Sequence, residues 1–301
     1  MRWVAAVLLL AAPAYGRTLS AGAGQEYPSP SAAAAAAQDG DTIQIAPGTY
    51  FDCIATDKRL TIQGPATLTD KPCEGKALLV LKGDGSVVRD LVLARARVSD
   101  GNGAGIRLEG RNLTIERVQF DNNEAALIGG AGRITLTDCT ITAGQAGFTA
   151  VLIGAAEQLT LTNTRISVAH GLAISSGAAL TMINGGQIET ADRGIELAGP
   201  AVVQDMVVTL RPGAAPAAIR TVTGGITIGR VRLVNETGAP AALLLDWGSG
   251  QPRLDAITVG RGDQPVTTAG NLRYQAGNAW RTGKSTVRDA ARAAKHAIVG
   301  P

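Results

Sequence analysis

The side chains best suited to chemistry crowd into one stretch. Asp100-Gly-Asn102 makes a polar loop feeding Arg107 and Glu109, and Asp121-Asn-Asn-Glu124 follows about one repeat later. If the two segments stack, Asp100, Asn102, Arg107, Glu109, Asp121 and Glu124 come within reach of one another. Carboxylates, an amide and a guanidinium together would bond the hydroxyls of a carbohydrate or contact a cation. The same residues also read as solvated corners, with a surface Arg–Glu pair of little energetic weight. Two histidines and three cysteines show no ligand spacing, so no metal and no cofactor are expected. His170 reads as a loop-end histidine. Trp247 reads either as a sugar-stacking platform or as a shield for the last turns. No catalytic set is assigned.

What would position these residues is a repeat, clearest between Gly105 and Leu233. Its anchors, Leu113, Ile134, Leu159, Leu180, Val202 and Ile226, are separated by 21, 25, 21, 22 and 24 residues. Such a period marks a solenoid, in which each unit buries its apolar side only against its neighbours. Val, Ile and Thr dominate, which favours strands. Alternation has period two: Leu113/Ile115, Ile134/Leu136, Leu159/Leu161 and Leu180/Met182 point inward. Arg117, Asp138, Asn163, Asn184 and Asp205 then form a column. Asp and Asn bond their own backbone and tolerate left-handed dihedrals, so the column predicts a stacked corner. Val118/Phe120, Cys139/Ile141 and Thr164/Ile166 resume the apolar side. Three short strands per turn with one sharp corner is a parallel β-helix, here of about eight or nine coils.

Residues 1–16 resemble a signal peptide: Arg2, an apolar stretch Trp3–Ala12, and small-x-small sites ending at Ala14 or Gly16. No stretch reaches the length of a membrane span. The expectation is export, to the periplasm or the medium. Net charge is +3 with no basic run, which argues against nucleic acid. Cys53 and Cys73 lie close to one coil apart, so an exported chain would pair them in a disulfide. Cys139 reads as a buried thiol.

Ser29-Pro30 before six alanines predicts a short helix ended by Gly40. Thr42-Ile-Gln-Ile45 is the first expected strand. The alanine-rich helix, residues 40–50 (GDTIQIAPGTY) and Lys58-Arg-Leu-Thr-Ile-Gln-Gly64 resemble the N-terminal end of right-handed parallel β-helix proteins of the pectin lyase-like superfamily. The resemblance spans about residues 25–260. It implies a right-handed single-stranded helix whose N-terminal helix caps the open end, where a bare strand edge would otherwise invite pairing. Residues 17–265 would form this domain. A tail over 266–301 would carry Tyr274, Trp280 and a helix at 284–299, with Val287, Ala290, Ala291, Ala294 and Ile298 on one face.

The resemblance also implies where enzymes of this fold work: beside the strand that here reads GIRLEG. Alternation predicts its outward residues as Arg107/Glu109, Leu127/Gly129, Val151/Ile153, Ala173/Ser175, Glu196/Ala198, Arg220 and Leu244/Asp246. The middle of that face is apolar or small. Arg211-Pro212 is a fragment of the pectate lyase arginine motif. Gly144-Gln-Ala-Gly-Phe148 lacks the carboxylates of the pectinesterase segment it resembles. His170-Gly-Leu172 looks like the polygalacturonase motif without the acid pair that glycosidic hydrolysis requires. The expectation is therefore a non-catalytic exported β-helix that binds a polysaccharide or, through its apolar face, a protein partner. The alternative is a lyase or glycosidase acting on uronate-containing polymers.

Overall fold

The computed structural model describes residues 16–143, 149–247 and 251–268. The expected leader (residues 1–15 of it), the 144–148 segment, Tyr274, Trp280 and the 284–299 helix lie outside the described residues. Strands run from Thr18–Ala21 to Gln264–Thr268, and every pairing between named strands is parallel. They build an all-β solenoid of about ten turns, with one strand of each turn in a ten-stranded sheet and the rest in an eighteen-stranded sheet. The strand Thr18–Ala21, paired to Thr42–Ile45, begins the stack earlier than the sequence suggested.

The inward rows are continuous. Val88, Ile115, Leu136 and Leu161 sit in register, as do Leu93, Phe120, Ile141 and Ile166. All are fully or almost fully buried in one core that runs the length of the molecule. Two sequence anchors fall one residue out. Leu159 pairs with Thr181 and Leu161 with Ile183, so Leu180 and Met182 do not point inward; Met182 is exposed. Val202 likewise faces outward between buried Ala201 and Val203. A one-residue slip exchanges the two faces of a strand.

The predicted corner is present. Asp90, Arg117, Asp138, Asn163, Asp205 and Arg230 all adopt left-handed dihedrals, with φ between 50° and 59°. Each corner N–H reaches the next turn: Arg117 N donates to Thr137 O at 2.9 Å, Asp138 N to Thr162 O at 3.0 Å, and Asp205 N to Gly229 O at 3.0 Å. At Asn184 the slip recurs: Gly185, φ 73°, holds the corner instead.

The helix is Pro30–Ala36, with Ser29 as N-cap accepting from Ala32 N. It ends four residues before Gly40. Asp52 accepts from Ser31 N near its start, and Lys58 Nζ donates to Ala34 O and Ala35 O at its end. Both charges oppose the helix dipole. Buried Pro30, Ala33 and Ala34 pack it beside Thr18–Ala21, Thr42–Ile45 and Ile54–Thr56. Cys53 and Cys73 form the expected disulfide, Cα–Cα 5.6 Å. Cys139 is buried, its thiol pushed up to about 11 by desolvation.

Candidate functional site

The ten-stranded sheet breaks the simple alternation. Each middle strand sends two successive residues into the core: Ala126 and Leu127, Ala150 and Val151, Ala173 and Ile174, Ala218 and Ile219, Leu243 and Leu244. Up to Ala218 the first of each pair is alanine, because neighbouring backbones come close there; at the last pair it is Leu243. A Cβ on Gly194, at the same level, would lie 2.1 Å from Ala218 O. Leu127, Val151, Ala173 and Leu244 therefore face the core, as does Ile153, and were wrongly read as outward. Arg107, Ser175, Glu196 and Arg220 do face outward.

The corrected outer row reads Val80, Arg107, Ile128, Leu152, Ser175, Glu196, Arg220, Leu245, each in register with the next. Apart from Arg107, its first half is apolar. Val80, Ile128 and Leu152 join Ala77, Ala104 and Ala125 in a buried cluster separate from the main core. Its second half is charged. Glu196 is only 5% exposed, and Arg193, two residues before the core-facing Ile195, lies beside it. Glu196 Oε1 stands 3.5 Å from Arg220 Nη1 and 3.8 Å from Arg193 Nη1. Glu196 Oε2 and Arg193 Nη1 are buried with no hydrogen-bond partner. Burial raises the carboxyl pKa of Glu196 against the opposing pull of Arg220 and Arg193. Burial also lowers that of the Arg220 guanidinium, which Glu196 partly restores.

Neighbouring polar groups hold the surrounding backbone. Asp192 Oδ2 accepts from Gly171 N at 2.7 Å, next to exposed His170. Asp192 N donates to Thr190 Oγ1, which donates to Arg193 O. Trp247 packs against Ala217 and Leu245, as a shield would.

Architectural likeness to solved structures is limited to the fold. Two crystal structures of the pectin methylesterase from Aspergillus niger, one in penultimately deglycosylated and one in deglycosylated form, are similar at 15% identity and TM-score 0.49. They cover 76% and 75% of this chain and 89% and 86% of theirs. No family model matches the chain, and no curated protein matches it.

Of the six residues expected to cluster, Asp100, Asn102 and Glu124 meet at one loop, while Arg107, Glu109 and Asp121 have other neighbours. Asp100 accepts from the Asn102 side chain at 2.8 Å within its own loop. Glu124 Oε2 clamps that loop, accepting from Val98 N and Gly103 N at 3.1 and 2.6 Å. Asp121 takes the Thr142 hydroxyl on the eighteen-stranded sheet. Glu109 pairs with Lys76 at 2.6 Å rather than with Arg107. Arg107 alone stands on the outer row of the ten-stranded sheet, between Val80 and Ile128. The Arg193–Glu196–Arg220 group was not singled out from sequence. The available signal was Glu196 and Arg220 at equivalent positions of consecutive repeats, RGIEL and AAIRT. Among the described residues no group of three or more His, Cys, Asp or Glu could hold a metal, and no helix is long and apolar enough to cross a membrane.

Proposed function

We propose that the chain is an exported β-helix that binds a polysaccharide along the outer row of its ten-stranded sheet, with Arg193, Glu196 and Arg220 forming the polar subsite. The observation that carries this reading is the unsatisfied pair, Arg193 Nη1 and Glu196 Oε2, buried at one outward point. Leaving both groups unmade is unfavourable by about 1–3 kcal/mol each. A sugar hydroxyl satisfies both at once, accepting from the guanidinium and donating to the carboxylate. Arg107 on the same row, with Glu109 beside it and Asp100, Asn102 and Glu124 at the neighbouring loop, would extend the contact. The disulfide Cys53–Cys73 supports export, since such bonds persist in oxidising compartments.

A second reading rests on the same acid. A carboxyl whose pKa is raised by burial has the direction of shift that a general acid needs. The nearest carboxylate, Asp192, is committed to Gly171 N and Arg193, so the pair typical of glycosidases is not formed around Glu196.

The test is retention of the purified chain on a panel of immobilised neutral and uronate polysaccharides, with Arg193→Ala and Glu196→Gln alongside. Retention reduced in both variants supports the binding site. Retention unchanged in both, or none on any polymer, removes it. Release of reducing ends or of unsaturated uronate, abolished in Glu196→Gln, would favour the enzyme.

A further inference from the structure

The last described turn carries a concavity of about 530 Å³, far along the solenoid from Arg107 and outside the ten-stranded sheet's outer row. It lies between the strand Arg232–Asn235 and residues 258–263. Leu233, Val234, Val259 and Pro240 supply apolar wall; Arg232 and Arg261 stand at it as exposed guanidiniums. The volume falls in the range of sites for small ligands, which pair apolar walls with a few placed polar groups.

The wall is built rigidly. Asn235 Nδ2 donates to Asp263 Oδ1 and to Ala239 O, both at 2.7 Å. Ala241 N donates to the same Asp263 oxygen at 2.9 Å. Thr237 N and its hydroxyl both donate to Asn235 Oδ1, at 3.0 and 2.7 Å. The loop over 235–240 is thus shaped before any ligand arrives, which removes an ordering penalty from binding. The same bonds occupy Asp263, while Glu236 is taken by Arg211 Nη1 at 2.6 Å. Among the described residues neither Arg232 nor Arg261 has an ion-pair partner.

We propose that this concavity binds a sugar-sized oxyanion, its carboxylate or phosphate held by the forks of Arg232 and Arg261 and its body against Val259 and Pro240. Guanidinium forks match both anions in geometry and charge. The site is independent of the Arg193–Glu196–Arg220 group.

Binding is measured by calorimetry on the full chain with glucuronate, inorganic phosphate and, as the neutral control, glucose. The expected result is saturable binding of one or both anions, weakened by salt, with none of glucose. Arg232→Ala/Arg261→Ala should weaken it roughly tenfold or more, the loss typical of a charge-assisted hydrogen bond. Both arginines are exposed, so circular dichroism of the variant should match the parent. Tighter binding of glucuronate assigns a sugar acid; tighter binding of phosphate assigns a phosphate. Glucose binding as well as glucuronate, anion binding unchanged in the double variant, or no saturable binding of either anion overturns the proposal.

Discussion

Glu196 and Arg220 sit directly opposite one another in adjacent turns, Oε1 to Nη1 at 3.5 Å, on outward positions where Glu196 is nevertheless buried and Arg220 half-buried. Desolvation outweighs the attraction and lifts the acid's pKa. A folded state that holds its proton more tightly than the unfolded chain is favoured by acid.

Glu196 therefore contributes stability fully present below the ordinary glutamate value, about 4.3, and lost as pH rises from there through the raised native value. Glu196→Gln mimics the protonated acid and should flatten this part of the profile. Urea midpoints of parent and variant, compared across that window, give the check: their difference should change with pH in favour of the variant as pH rises. A constant difference would show that the acid titrates normally.

The left-handed corner makes a different demand. At Asp138, φ 53°, glycine meets no steric penalty, whereas a β-branched residue does. Asp138→Gly should change unfolding free energy by less than about 0.5 kcal/mol, and Asp138→Val should lower it by about 1–2 kcal/mol. Chemical denaturation separates them.

The corner acid Asp90 titrates opposite to Glu196. Arg117 Nε and Nη2 donate to Asp90 at 2.7 and 3.0 Å and hold its pKa below the ordinary value. That stability is present above the ordinary aspartate pKa and lost as pH falls through the depressed one. Asp90→Asn should reduce the acid sensitivity of the fold below about pH 4, read as a shallower fall of Tm with acidification.

Reducing the disulfide releases a 20-residue separation between Cys53 and Cys73. Closing such a loop contributes about 3 kcal/mol. Reduction, or Cys53→Ser/Cys73→Ser, should lower global stability by about that amount and speed amide exchange first in Ile54–Thr56 and Ala77–Leu81. Exchange rising uniformly along the rod would contradict a local staple.

Gly194→Ala places a methyl 2.1 Å from Ala218 O. The two strands must part, lowering stability by about 1–3 kcal/mol. Because Arg193 and Glu196 flank the position, polysaccharide retention should fall with it. Ala150→Gly, in the same column but away from the charges, should destabilise without that loss.

The stacked core was legible because Ile115, Leu136 and Leu161 repeat a strict two-residue alternation, and the corner because Arg117, Asp138 and Asn163 recur at one offset. Legibility failed where local spacing changes. The Gly185-Gly186 turn moved Leu180 and Met182 by one place, and the double inward residues such as Ala150-Val151 inverted half of an outer row. The charged trio escaped notice for a related reason. Its members come from the strands Arg193–Leu197 and Ala217–Thr221, not from a polar loop, and only register brings them together. The polar loops drew attention by composition, yet Glu124 spends its bonds on the backbone of the 98–103 loop and Asp100 on the Asn102 side chain.

Because each of these bends hands its amide to the following turn, the backbone ladder joins only neighbouring turns, while the exposed side chains of Arg111 and Glu157 pair across two. Excising a complete turn, such as residues 133–157, would bring Leu113 beneath Leu159 with both hydrogen-bonding edges still matched. Rod length is thus adjustable in whole steps of roughly 5 Å, and a shortened molecule would keep its two ends unchanged.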